Sequence, residues 1–237
     1  MKRVLGIIVV ICFSMIFSVD FCKAQSFGLF GAISMPQGDF GDDSGADAGL
    51  AETGFGLGAE YSAPLGSPGW EWVMNGAVLL NGLDDDPFED ELGYIYGVEV
   101  DDVEVGSYIN VPLMGGVRYR SPISPTADFF GMGLAGLNIV KGPTISFDMR
   151  IWDDYDWEYM NASAEQTFDM ATSFGFGLGG GIILNKKFTI GFRYLNLGEP
   201  ELKGELEVDV DYGGSGSAHV EFDQPVSVLL ITAGVTF

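Results

Sequence analysis

The end of this chain restricts its fold more than any other segment. Residues 224–237 read QPVSVLLITAGVTF. Val226, Val228, Leu230, Thr232, Gly234 and Thr236 fall on one face of an extended strand, and Ser227, Leu229, Ile231, Ala233, Val235 and Phe237 on the other. Strand side chains alternate between faces, so this segment has no polar side to turn toward water. A strand solvated by acyl chains and anchored by an interfacial aromatic ring needs that composition. The pattern predicts that the last element faces lipid.

The other terminus agrees. Lys2 and Arg3 precede an apolar run over residues 4–19, and Cys22-Lys23-Ala24 places small residues three and one positions before a cut ahead of Gln25. This is the pattern of a secretory signal peptide over residues 1–24, leaving residues 25–237 as one domain. A lipoprotein would carry its lipid on Cys22, but Phe21 stands where a small residue is needed. The chain has 2 cysteines, Cys12 and Cys22, both in this segment. Disulfide scaffolds, thiolate metal sites and cysteine nucleophiles are therefore excluded from the processed chain. Loss of Lys2, Arg3, Lys23 and Asp20 takes the formal charge from −23 to about −25. Such a chain repels phosphate backbones, so nucleic acid is discarded as a partner.

Past residue 24 no apolar run approaches the roughly 20 residues of a membrane helix. Period-two alternation instead marks eight runs: 26–35, 53–63, 70–81, 107–120, 127–140, 171–184, 188–197 and 224–237. Each has the length of about 10 residues that a tilted strand needs to cross a bilayer. The connections 64–69, 121–126 and 185–187 are tight and rich in Pro, Gly, Ser and Asn, whereas 36–52, 82–106, 141–170 and 198–223 are long. This predicts an all-β fold: an eight-stranded antiparallel up-and-down transmembrane β-barrel with long extracellular loops. The even count returns both termini to the periplasmic side.

The acid has a place in this layout. Beyond residue 24, every Asp and Glu except Glu60, Glu71 and Asp128 lies in the four long connections. Charge is kept from the lipid-crossing band, where a basic residue costs about 2–4 kcal/mol at the midplane and an acid less. Alternation within 98–105 and 206–212 predicts that the loops continue as hairpin arms above the membrane. Gly54, Gly56, Gly58 and Glu60 alternate with Phe55, Leu57, Ala59 and Tyr61. Gly175, Gly177, Gly179 and Gly181 alternate with Phe174, Phe176, Leu178, Gly180 and Ile182. A narrow barrel has little interior room, so small residues are expected inside and rings outside. Trp70, Trp72, Tyr61, Tyr119, Phe188 and Tyr194 are the expected girdle.

The segments ISMPQGDF at 33–40, 54–61, NVPL at 110–113, FRYLNLG at 192–198 and GVTF at 234–237, in this order and spacing, carry a likeness. The chain resembles the eight-stranded outer-membrane β-barrel family, the porin-like group with OmpA- and OmpX-type barrels. The resemblance covers essentially the whole processed chain. It implies residence in the bacterial outer membrane, contact with outer-membrane lipid, and insertion by the barrel assembly machinery, which reads the C-terminal strand ending in Phe237. It implies no common activity. The acidic loops depart most, and individual functions reside in loops.

Four residues are candidates for an interior charge cluster. Glu60 faces inward, and Arg118, Arg120 and Arg193 share that parity on their strands. Charges in a narrow lumen must pair, because an unpaired buried charge is costly. A pairing of Glu60 with Arg118 or Arg193 is expected, as a fixed plug in preference to a salt-bridge gate. The acidic tracts 84–91 and 153–158 could offer oxygens to calcium, but they lack the ligand spacing and glycine of an EF-hand, and solvated loop acid is the simpler reading. His219, the 1 histidine, lies near Ser215, Ser217, Asp211 and Glu221, but nothing in the sequence fixes a catalytic geometry. The Gly-x-Gly repeats near Gly54 and Gly175 sit within strands, where they cannot cradle phosphate. No catalysis, cofactor or metal is expected. A monomer with a structural or surface-interaction role, meeting an extracellular partner through its acidic loops, is the first reading. A narrow porin-like path for small or apolar solutes is the second, and a loop-borne hydrolase the third.

Overall fold

Alternating side chains make one-sided strands, and one-sided strands need both a core and an outer solvent. The computed structural model describes residues 25–43, 48–85, 98–153, 158–211 and 214–237; the expected signal segment 1–24 lies outside them. Among the described residues, thirteen strands run β1 Ser26–Pro36, β2 Gly54–Pro64, β3 Trp70–Gly82, β4 Val98–Val105, β5 Ser107–Ser124, β6 Ala127–Lys141, β7 Ile145–Asp153, β8 Glu158–Phe168, β9 Met170–Leu184, β10 Phe188–Asn196, β11 Glu201–Val210, β12 Gly214–Asp223 and β13 Ser227–Thr236. Eight of them close into a barrel in the order β1-β13-β10-β9-β6-β5-β3-β2. Each barrel strand lies antiparallel to the next one in the chain. β1 and β13 seal the ring from Gly28 opposite Thr236 to Pro36 opposite Val228. The predicted up-and-down barrel is the one observed.

The outer wall is apolar. Leu57 and Phe55 are 70% and 64% exposed, and Phe174, Phe176, Leu178, Ile190, Phe192 and Ile231 are exposed likewise. Only acyl chains solvate such a surface without cost. At one end of the barrel, Trp70 packs on Tyr119 with ring centroids 5.2 Å apart, and Tyr61 packs on Trp72 at 5.1 Å. Four of the six rings expected in a girdle thus gather at this end.

The inner wall departs from the expectation of small residues alone. Gly54, Gly56 and Gly58 of β2 and Gly175, Gly177, Gly179 and Gly181 of β9 do face in, but Phe30, Phe130, Met132, Leu134, Leu195 and Leu230 face in with them and are buried. The two sets interlock. A Cβ at Gly58 would overlap the Phe30 ring, and one at Gly177 would overlap Leu195. Each missing side chain on one strand makes room for a large one on another, and the lumen is packed as a core. Size alternation along one strand does not show this, because the ring that fills the space comes from elsewhere in the chain.

Above the barrel, the predicted arms exist and do more than extend single hairpins. β4, the β7–β8 hairpin and the β11–β12 hairpin come from three different long connections. They join in one five-stranded sheet of order β12-β11-β8-β7-β4. The first long connection instead folds down: a single 3-10 turn, Gly38–Phe40, buries Phe40 completely against Tyr108, with centroids 5.1 Å apart. Phe40, Ala51, Leu83, Leu197, Leu202 and Val226 continue the lumen core upward to the base of the sheet.

Candidate functional site

The four residues singled out in the sequence meet in the lower half of the lumen. Glu60 of β2 accepts a hydrogen bond from Arg118 Nη1 of β5 through one carboxylate oxygen. Through the other it accepts from Arg193 Nη2 of β10, at 2.8 Å. It therefore holds both arginines at once, where one partner was expected. Arg118 also donates from Nε to Glu71 at 2.7 Å and from Nη2 to Ser62 Oγ at 2.7 Å. Arg120 lies nearer the mouth, paired with Asp128 at 2.5 Å and 3.9 Å from Glu71. The Phe130 ring lies 5.6 Å from the Arg118 guanidinium and the Phe30 ring 4.4 Å from that of Arg193, within cation–π range.

Three carboxylates thus face three guanidinium groups. Arg118 and Arg193 are each only 4% exposed. Glu71 and Asp128 belong to this set and were left out of the sequence-based one, although their isolation from all other acid was the available signal. Ser62 and the two phenylalanines could not have been found, because they come into reach only through barrel closure. The arrangement can hold opposite walls together.

A second polar layer lies higher. Ser34 Oγ donates to Asn81 at 3.0 Å and Asn138 Nδ2 to Asn110 at 2.8 Å, all four residues being fully buried. Between the layers Phe30 and Ala32 line the lumen, and Thr232 Oγ1 donates to the Gly191 carbonyl at 3.2 Å.

The outer sheet is two-sided. In β11, Glu201, Lys203, Glu205, Glu207 and Asp209 share one face and Leu202, Leu206, Val208 and Val210 the other. Register carries this division across the sheet. Ser163, Glu165 and Thr167 of β8 and Asp148 of β7 join the acidic face, whereas Ala162, Ala164, Phe168, Phe147 and Ile145 join the apolar one. Carboxylates stand directly opposite across the ladder, among them Glu165 with Glu207 and Glu201 with Asp223. Like charges so placed are destabilising. Lys203 relieves the second pair, reaching Glu201 at 3.1 Å and Glu221 at 2.9 Å. Hydrogen bonds to Glu221 and then Glu201 raise the pKa of its ammonium above the usual lysine range. The Glu221 carboxyl is held low by hydrogen bonds to Glu201 and Lys203.

The remaining sequence candidates are not assembled. His219 stands opposite Glu205, and among the described residues it has no hydrogen bond to Ser215, Ser217, Asp211 or Glu221. Asp211 instead accepts from Asn161 Nδ2 at 3.2 Å. Of the acidic tracts, residues 86–91 and 154–157 lie outside the described residues. Among those described, no group of three or more His, Cys, Asp or Glu is placed to hold a metal ion. Phe237 is 75% exposed at the lower rim, and its N–H donates to the Phe27 carbonyl at 2.7 Å, completing the β1–β13 seam.

Neither a protein-family model nor a curated protein matches the chain. Solved structures do. A major outer membrane protein from Thermus thermophilus superposes with TM-score 0.50 at 12% identity, covering 90% of this chain and 100% of that one. Neisserial surface protein A gives TM-score 0.49 at 10% identity, covering 90% and 95%. OprG from Pseudomonas aeruginosa gives 0.44 at 15%, covering 90% and 96%. At these identities the likeness is one of fold.

Proposed function

We propose, from an eight-stranded outer-membrane barrel fold with a packed lumen, that this protein resides in a bacterial outer membrane and acts through its surface. The five-stranded sheet would stand on the outer side and dock a positively charged partner on its acidic face. One observation carries this reading: carboxylates from several strands are gathered on a single face, some directly opposed, with Lys203 as a relieving cation. A cationic counter-surface would remove the repulsion that this face carries when alone.

The lumen supports a closed barrel over a conduit, because Phe30, Phe130, Leu195 and Leu230 occupy the space that a path would need. The chain would work as a monomer, inserted by the barrel assembly machinery. The test is binding of a lysine-rich peptide to the refolded protein in lipid nanodiscs. Affinity should fall steeply with salt and drop at least tenfold when Glu165, Glu205 and Glu207 become Gln together. Binding indifferent to both changes would defeat the reading.

A further inference from the structure

The lower mouth of the barrel holds an open cavity of about 660 Å³, walled by the β2–β3 turn with Trp70, Glu71, Arg120, Asp128 and Lys186. Its charged groups balance, two carboxylates against two cations, and each sign has bonding capacity left over. Asp128 Oδ2 accepts both from Arg120 Nε at 2.9 Å and from Nη2 at 2.5 Å, which leaves Oδ1 for another donor. Glu71 engages Arg118 through Oε2. Its Oε1 stands 3.9 Å from Arg120 Nη1, beyond hydrogen-bond reach, so both of those atoms are free as well. Lys186 has no hydrogen bond or ion pair among the described residues.

The backbone fixes these groups around the cavity. Asn185 and Lys186 have φ angles of 51° and 58°. Asparagine tolerates this left-handed region, lysine rarely adopts it, and glycine would take it without strain. A lysine kept in that conformation on the cavity wall is an outlier of the kind that gathers at ligand sites. The turns of the rim are tied to one another. Arg120 N–H donates to the Gly69 carbonyl and Asn185 N–H to that of Thr126, both at 2.7 Å. Trp70 gives the cavity a second neighbour. It is 44% exposed on the outer wall and packs on Tyr119, which is 43% exposed there. The cavity therefore borders the aromatic band where acyl chains give way to water.

A lone anion would satisfy Lys186 and Arg120 but face two carboxylates, and a lone cation would meet the reverse. A small group carrying both signs matches the whole set. We propose that this cavity binds the headgroup of a zwitterionic aminophospholipid from the leaflet on its side of the membrane. The phosphate lies between Lys186 Nζ and Arg120 Nη1, and the primary ammonium donates to Glu71 Oε1 and Asp128 Oδ1. The acyl chains pass over Trp70 and Tyr119 onto the outer wall. Bound in this way, one lipid ties the β2–β3 and β9–β10 turns together at the end of the barrel opposite the acidic sheet.

The test is native mass spectrometry of the full refolded barrel, released from micelles that hold phosphatidylethanolamine, phosphatidylcholine and phosphatidylglycerol in equal amounts. One phosphatidylethanolamine should be retained, and the other two about tenfold less. Phosphatidylcholine keeps the phosphate but has its ammonium capped by methyl groups, and phosphatidylglycerol has no ammonium. Lys186→Gly removes the side-chain ammonium and relieves the turn, so the protein should fold at least as well while retention falls about tenfold. Any other order among the three lipids overturns the proposal, as does unchanged retention in Lys186→Gly.

Discussion

Replacing Glu60 by alanine should destabilise the barrel far more than replacing Arg193 by methionine. Glu60 is the single carboxylate between two buried guanidinium groups. Without it, Arg118 keeps Glu71 and Ser62, but Arg193 loses its ion-pair partner within a nearly dry wall. Removing one member of a buried pair costs about 3–5 kcal/mol, chiefly for the charge left behind. Because Arg118 stays paired, the lower end, about 3 kcal/mol, is expected. In Arg193→Met the thioether packs against Phe30, and Glu60 still holds Arg118. Because Glu60 keeps Arg118 as its counter-charge, no buried charge is left alone, and that change should stay within about 1 kcal/mol. The double variant Glu60→Ala/Arg193→Met should then be more stable than Glu60→Ala alone. Urea titration of the barrel refolded into phospholipid vesicles measures all three. A cost for Arg193→Met equal to that of Glu60→Ala, or simple additivity in the double variant, would refute the reasoning. Planar-bilayer recordings of the same Glu60→Ala protein address the gate: unchanged conductance removes it.

Other perturbations separate the remaining parts of the fold. Phe40→Ala should cost about 3–5 kcal/mol in the same titration, as a fully buried ring is lost where the first connection caps the lumen. Leu57→Arg, on the lipid side, should cost about 2–4 kcal/mol in vesicles, and an equal cost in short-chain detergent would argue that this face does not meet acyl chains. Deleting Phe237 should slow insertion, read as a smaller fraction of heat-modifiable folded protein in membranes, because the β1–β13 seam loses the hydrogen bond to Phe27. Below pH 4, peptide binding to the outer sheet should weaken. The depressed Glu221 carboxyl makes its stabilising contribution above the unfolded pKa and loses it as pH falls through the folded value, so it should be among the last exposed groups to protonate.

The barrel was legible in the order of the residues because a membrane strand must state its two faces locally. Phe55, Leu57, Ala59 and Tyr61 against Gly54, Gly56, Gly58 and Glu60 is a complete description of one wall segment, and the eight such runs lie within a few residues of the observed strands. The inward parity of Glu60, Arg118, Arg120 and Arg193 was legible for the same reason. Alternation also marked 98–105 and 206–212 as strands.

What paired with what came from closure. Glu60 reaches Arg193, 133 positions away, only because β2 and β10 curve around one narrow lumen. Phe30 fills the place left by Gly58 because β1 lies beside β2. Three acidic connections became one two-sided sheet through hydrogen bonds between arms that are distant in the chain. Periodicity is a property of neighbours along the backbone, whereas charge pairing, lumen packing and sheet order depend on distances set by the ring as a whole.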